Sequence, residues 1–215
     1  MKSWVLMHGN YYIENRKGAA VIHNSEQIRS FIAIELPQNV KRGLEQIKYK
    51  VKQEGYAGIK WVNTEGIHVT LKFLGNISRE QKIEISKILE ETTKEIPPFN
   101  LEIAGLGAFP DLERPRVLWV AINGEVAKLT RLQQEIDFLL SSRGFPKESR
   151  PFVPHLTLAR LSDSMLPEEK RKIGAFIKSL KLEAGFQFSA EAVSLIRSKL
   201  TPTGAIYSCL FTAKL

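Results

Sequence analysis

A single cysteine, Cys209, is all that 215 residues contain, which excludes an internal disulfide framework and a cysteine-rich zinc site and fits a reducing compartment. Its setting, the apolar run YSCLF, reads as core packing. No apolar stretch approaches the roughly 18 to 20 residues that span a bilayer. The apolar run in MKSWVLMHGN is likewise too short for a signal-peptide core of about 7 to 15 residues. A cytoplasmic protein without membrane association is therefore expected. There are also no tandem repeats of roughly 20 to 50 residues, no linker-like stretch, and no block of like charge that resembles a nucleic-acid-binding tail.

What is present is a globular composition with a basic balance. With 43% hydrophobic residues the chain can bury a sizeable core. Its 31 Lys and Arg against 23 Asp and Glu leave a formal charge of +8, which favours encounter with polyanions such as RNA or nucleotides. An inert basic surface satisfies the same count. Because the charge is dispersed, any basic surface has to be assembled by folding.

Residues 1–28 show neither helical nor strand periodicity and read as an extension of undefined structure outside the core. From Arg29 the pattern is regular. Period-two or apolar runs predict strands at about 29–36, 59–63, 67–74, 99–105, 116–123, 153–160, 185–195 and 205–213. Helical periodicity predicts helices at 38–53, 78–95, 125–142 and 167–180, with Ser78 and Pro167 as start signals and Gly144 as a stop. Several strand pairs have no helix between them, so a purely parallel sheet fits poorly. The expectation is an α+β fold with mainly antiparallel sheets, residues 29–215 forming one bilobal domain.

Of four histidines, two stand in the same local pattern, His-apolar-Thr-Leu: His68 in IHVTLKFL and His155 in PHLTLARL. They are 87 residues apart (155 − 68), each on a predicted strand, as an internal duplication would place them. Side chains alternate along a strand, so His68 and Thr70 share one face while Val69 and Leu71 take the other. His155 and Thr157 do the same against Leu156 and Leu158. If an approximate twofold relates the two lobes, these polar faces meet across a groove. Two imidazoles with pKa values near about 6.5 can act as acid and base at one working pH. The hydroxyls and a guanidinium suit non-bridging phosphate oxygens. A zinc reading is weaker, since there is no HExxH spacing and no Cys or carboxylate accompanies either histidine.

These paired motifs, with the opening RSFIAIELP, the stretch ERPRVLWVAI and the end LIRSKLTPTGAIYSCLFTAKL, resemble the 2H phosphoesterase superfamily, and within it the RNA 2′,3′-cyclic phosphodiesterase (2′-5′ RNA ligase) family. The resemblance runs from about Arg29 to Leu215. It implies two mainly antiparallel sheets flanked by helices around a central groove, in a pseudo-twofold arrangement. It implies metal-independent hydrolysis of a 2′,3′-cyclic phosphate end to a 2′-phosphomonoester, with His68 as proton donor and His155 as proton acceptor. Thr70, Thr157 and Arg160 would bind the phosphate, with an RNA or nucleotide as partner, no cofactor, and a monomeric enzyme. Arg160 carries a tension: five residues past His155, it has the wrong parity on an ideal strand, and Lys72, four past His68, has the right one. The family pattern favours Arg160, with Lys72 in reserve.

Other residues carry weaker expectations. Phe31 and Trp61 are candidates to stack a terminal base; Arg114, Arg116, Lys147 and Arg150 are candidates to follow an RNA backbone. His8 and His23 are assigned nothing. Besides hydrolysis, two other functions are open: 2′-5′ ligation of RNA ends, and a nucleotide- or RNA-binding module without turnover, although pure binding does not require two proton-transfer groups.

Overall fold

Every pair of neighbouring strands in this computed structural model is antiparallel. It describes residues 4–7, 10–13, 27–180, 186–202 and 204–215. Two four-residue strands, β1 (Trp4–Met7) and β2 (Asn10–Ile13), form a hairpin within the segment that shows no strand periodicity. Four residues are too few for alternation to be visible. His8 and His23 lie outside the described residues.

The main body has two sheets. The first has the order β11-β10-β3-β5, built from β3 (Ile28–Glu35), β5 (His68–Ile77), β10 (Ala192–Thr201) and β11 (Gly204–Lys214). The second, in the order β4-β8-β7-β6-β9, contains β4 (Ile59–Trp61), β6 (Phe99–Phe109), β7 (Val117–Gly124), β8 (His155–Leu161) and β9 (Gln187–Ala190). The chain crosses between them four times, after β3, β4, β5 and β9. β4 comes from the first half yet pairs with β8, and the two last strands return to complete the first sheet. The run expected as one strand over 185–195 is thus two strands in different sheets, with Glu191 between them.

Four helices pack apolar stripes on the sheets: α1 (Gln38–Lys52), α2 (Arg79–Lys94), α3 (Val126–Ser141) and α4 (Pro167–Ser179). In α1 the buried residues Val40, Leu44, Ile47 and Val51 recur at helical spacing, and in α3 Leu129, Leu132, Ile136 and Leu140 do the same. Ser78 caps α2 in a reciprocal pair with Gln81, which satisfies two otherwise orphaned backbone N–H groups. One contiguous core joins Ile32, Ile34, Val69 and Leu71 of the first sheet to Leu101, Ile103, Val120 and Leu156 of the second. Among the described residues no helix is long and apolar enough to cross a membrane.

Cys209 departs from expectation. It is exposed on β11, the outermost strand of its sheet, within 3.2 Å of Thr212 Oγ1. An apolar run in an edge strand need not be covered.

Candidate active site

β5 and β8 each begin on a histidine and pass close to one another. Val69 and Leu71 on one, and Leu156 and Leu158 on the other, are almost fully buried and hold the strands down. His68, Thr70, His155 and Thr157 consequently face one groove of about 470 Å³, which Arg160 also lines. That volume is in the range of small-molecule sites.

Both imidazoles are held in the same way. Nδ1 of His68 lies 2.7 Å from the carbonyl oxygen of Gly66, and Nδ1 of His155 lies 2.7 Å from that of Val153. A carbonyl only accepts, so Nδ1 carries the proton and donates in each ring. Nε2 is left in both as the nitrogen able to exchange a proton within the groove. This matched pair, with hydroxyls two residues on in each strand, is suited to acid and base work on a phosphoester.

Arg160 reaches the groove because β8 is bulged. Trp119 of β7 pairs with Thr157, but Leu118 pairs with Ala159, so Leu158 is an extra residue. Two consecutive side chains, Leu158 and Ala159, therefore point into the core, and the next residue, Arg160, returns to the face of His155 and Thr157. The same irregularity recurs in β5, where Ala33 of β3 pairs with Thr70 and Ile32 with Lys72, leaving Leu71 unpaired. That bulge turns Lys72 away from the groove and brings Phe73 into it. Lys72 is 2% exposed, and its ammonium donates to Asp137 Oδ1 at 2.5 Å and to the Pro146 carbonyl at 2.7 Å. It is a core cation directed away from the groove, a position that does not fit a phosphate ligand. Phe73, five residues past His68, occupies the place that Arg160 holds five past His155.

The two halves of the groove differ in their aromatic surroundings. Phe31, 3% exposed, stacks on His68 with ring centres 4.4 Å apart, so it supports a histidine and is not open to a base. Tyr207 meets His68 edge-on at 5.3 Å. A Cβ at Gly66 would sit 2.9 Å from Tyr207 Cε2, so a side chain there would displace the ring. On the other side Phe109 meets His155 edge-on at 4.9 Å and Trp119 lies 6.2 Å from it. Trp61 is absent from the groove lining; it is packed on the core with Lys52 Nζ 5.5 Å from its ring. Arg114, Arg116 and Arg150 line a separate cleft that has Phe109 as a wall, and Lys147 is exposed elsewhere. Tyr207, Phe109 and Phe73 were not singled out from sequence. Only Phe73 has a signal there, its position relative to the duplicated motif.

Burial between Phe31 and Tyr207 lowers the pKa of His68 from 6.5 to about 4, against the opposing pull of the Gly66 carbonyl and the Glu35 charge. His68 is therefore neutral at neutral pH. The unfolded chain binds a proton on this histidine below about 6.5 while the folded chain does not until about 4. Its contribution to stability is thus full above the upper value and lost as pH falls through this window. Substituting His68→Gln is expected to flatten the fall in Tm between pH 6.5 and 4.5 relative to the parent. Thermal melts of both proteins across that range provide the check, and parallel curves would show the shift to be absent.

Comparison with known proteins agrees with the duplicated geometry. The profile of the family described as LigT like Phosphoesterase matches twice in tandem, over residues 34–119 and 120–207, one match containing each histidine motif. An RNA 2′,3′-cyclic phosphodiesterase of Aquifex aeolicus is 34% identical over 182 residues, covering 84% of this chain and 94% of that protein. One of Aeropyrum pernix is 37% identical, covering 73% and 86%. The crystal structure of TT0787 of Thermus thermophilus superposes with a TM-score of 0.69 at 27% identity, over 87% of this chain and 98% of that one. E. coli LigT, solved in complex with 3′-AMP, gives a TM-score of 0.69 at 22% identity, over 88% and 99%, a likeness of fold. With both halves matched and both motifs meeting in one groove, the chain belongs to the LigT-like phosphoesterase family.

Proposed function

We propose that this protein hydrolyses RNA or nucleotide 2′,3′-cyclic phosphate ends to 2′-phosphomonoesters by two-histidine acid–base chemistry, without a metal. The observation that carries the reading is the matched tethering of both Nδ1 atoms, which presents two Nε2 atoms to one groove. Relatives carrying the phosphodiesterase name at 30–37% identity support the substrate class. Neither carboxylate nor thiolate is among the described residues that line the groove, so its chemistry is that of imidazole, hydroxyl and guanidinium.

In the proposed step His155 Nε2 takes a proton from water as its oxygen bonds to phosphorus. The phosphorus–O3′ bond breaks, and His68 Nε2 gives a proton to the departing O3′. The product is a 2′-phosphomonoester with a free 3′-hydroxyl, and the two rings have exchanged protonation states. His68 needs its proton at the start, which its burial disfavours. The negative phosphodiester beside the ring supplies the compensating charge, so substrate and proton bind together. Which histidine plays which part rests on the family resemblance. Thr70 and Thr157 hold the non-bridging oxygens, and Arg160 balances the charge that builds on them.

The test is to incubate the protein in EDTA with an oligonucleotide ending in a 2′,3′-cyclic phosphate and to identify the product. A 2′-phosphate is expected; a 3′-phosphate would overturn the leaving-group assignment, and binding without product would favour a module without turnover. Truncating Arg160→Ala should lower kcat/KM by about 10- to 100-fold, the range for losing a hydrogen bond to a charged group. Arg160→Lys should recover only part of this, because a point charge lacks the planar fork. Full activity of the alanine variant would remove Arg160 from the site.

A further inference from the structure

The groove continues past the histidines along the first sheet, and its floor changes character in steps. Along one face of β3 stand Ala33, buried opposite Thr70; Phe31, opposite Phe73; and Arg29, opposite Asn76, the last two lining the groove. At the strand rise of about 3.3 Å per residue, Arg29 lies roughly 13 Å along β3 from the level of Thr70. The intervening level is aromatic: Phe73 is 66% exposed and Tyr207 36% exposed, and both line the groove with buried Phe31 beneath. At the far level the Arg29 guanidinium is anchored, Nη1 donating to Ser198 Oγ at 3.1 Å, and Arg29 and Ser198 line the same groove.

A phosphate site, an aromatic platform and a second anchored cation, in that order in one groove, match a nucleotide strand and not a lone mononucleotide. Resting on the reading of the site as a cyclic phosphodiesterase, we propose that Arg29, positioned by Ser198, forms a second phosphate subsite. It takes a backbone phosphate upstream of the cyclic end, while the intervening nucleoside lies against Phe73 and Tyr207. The site is then built for the ends of RNA chains. The strand leaves along the first sheet, away from the cleft at Arg114, Arg116 and Arg150, which lies behind Phe109 on the second.

The experiment compares kcat/KM for adenosine 2′,3′-cyclic phosphate and for a short oligoadenylate ending in a 2′,3′-cyclic phosphate, in the parent, in Arg29→Gln and in Arg114→Ala/Arg116→Ala/Arg150→Ala. The parent should prefer the oligonucleotide. In Arg29→Gln that preference should shrink by about 10-fold, through KM. The slope of log kcat/KM against log salt for the oligonucleotide should become shallower by about 0.7, the single-strand value for one phosphate contact. The triple variant should keep the preference. Equal losses on both substrates in Arg29→Gln, no change on either, or loss of preference in the triple variant alone would each overturn the subsite. A parent inactive on both substrates would instead remove the reading of the site itself, and the subsite with it. Melting curves establish that each variant is folded; because Arg29 is exposed, its replacement should leave Tm in place.

Discussion

Replacing His155 with alanine is expected to lower kcat/KM on an RNA ending in a 2′,3′-cyclic phosphate by about 10²- to 10⁴-fold, the range for one general acid or base. The site is favourable for such a test, because the ring rests on the edges of Phe109 and Trp119 rather than in the main core, so folding should survive. His68→Asn should cost a similar factor. The combined variant should lose little beyond the larger single loss, since acid and base act as a unit and their effects are not additive. The pH profile of kcat/KM separates the two roles. A parent bell-shaped in pH should lose the limb belonging to whichever histidine is removed, and EDTA should alter neither limb. Full activity in either single variant would sink the two-histidine reading, while equal bells in both would mean that the limbs belong to other groups.

The pairing of the two motifs was legible because alternation holds without a break from His68 to Thr70 and from His155 to Thr157. It fails one residue later, at Leu71 and Leu158, where each strand is bulged. Parity counted through a bulge inverts everything beyond it, which is why Lys72 looked like a phosphate ligand and Arg160 looked misplaced. Two adjacent core-facing residues, Leu158 and Ala159, were the trace of the bulge in sequence. A change of burial pattern marks the end of β9. Phe188 and Ala190 are buried between exposed neighbours, whereas residues 193–196 are buried without alternation, and the apparent single strand changes sheet at Glu191. The ring contacts of Tyr207 and Phe109 with the histidines had no local signal, because each is made between strands far apart in the chain. Exposure of Cys209 was illegible for a related reason: strand order decides which apolar run lies at an edge.

Removing the partner of Lys72 should have the largest effect on stability. The ammonium is buried with side-chain exposure of 1% against 8% for Asp137, and it also holds the Pro146 carbonyl. Asp137 in turn accepts from the Glu148 backbone N–H at 3.2 Å. The cluster thus joins β5, α3 and the loop that leads into β8, and it fixes the approach to the second motif from the back of the first. Asp137→Ala leaves a buried cation unpaired and orphans the Glu148 N–H, for an expected loss of about 3–5 kcal/mol. At roughly 2–4 °C per kcal/mol for a chain of this size, that amounts to a fall in Tm of about 6 to 20 °C. Lys72→Met is the informative companion, since together with Asp137→Leu it replaces the ion pair by apolar groups of similar volume, and such exchanges are often neutral or stabilising. The double variant should therefore melt well above Asp137→Ala and retain phosphodiesterase activity, because neither side chain faces the groove. A double variant that melts normally but has lost activity as fully as His155→Ala would place Lys72 back among the groups that handle the phosphate.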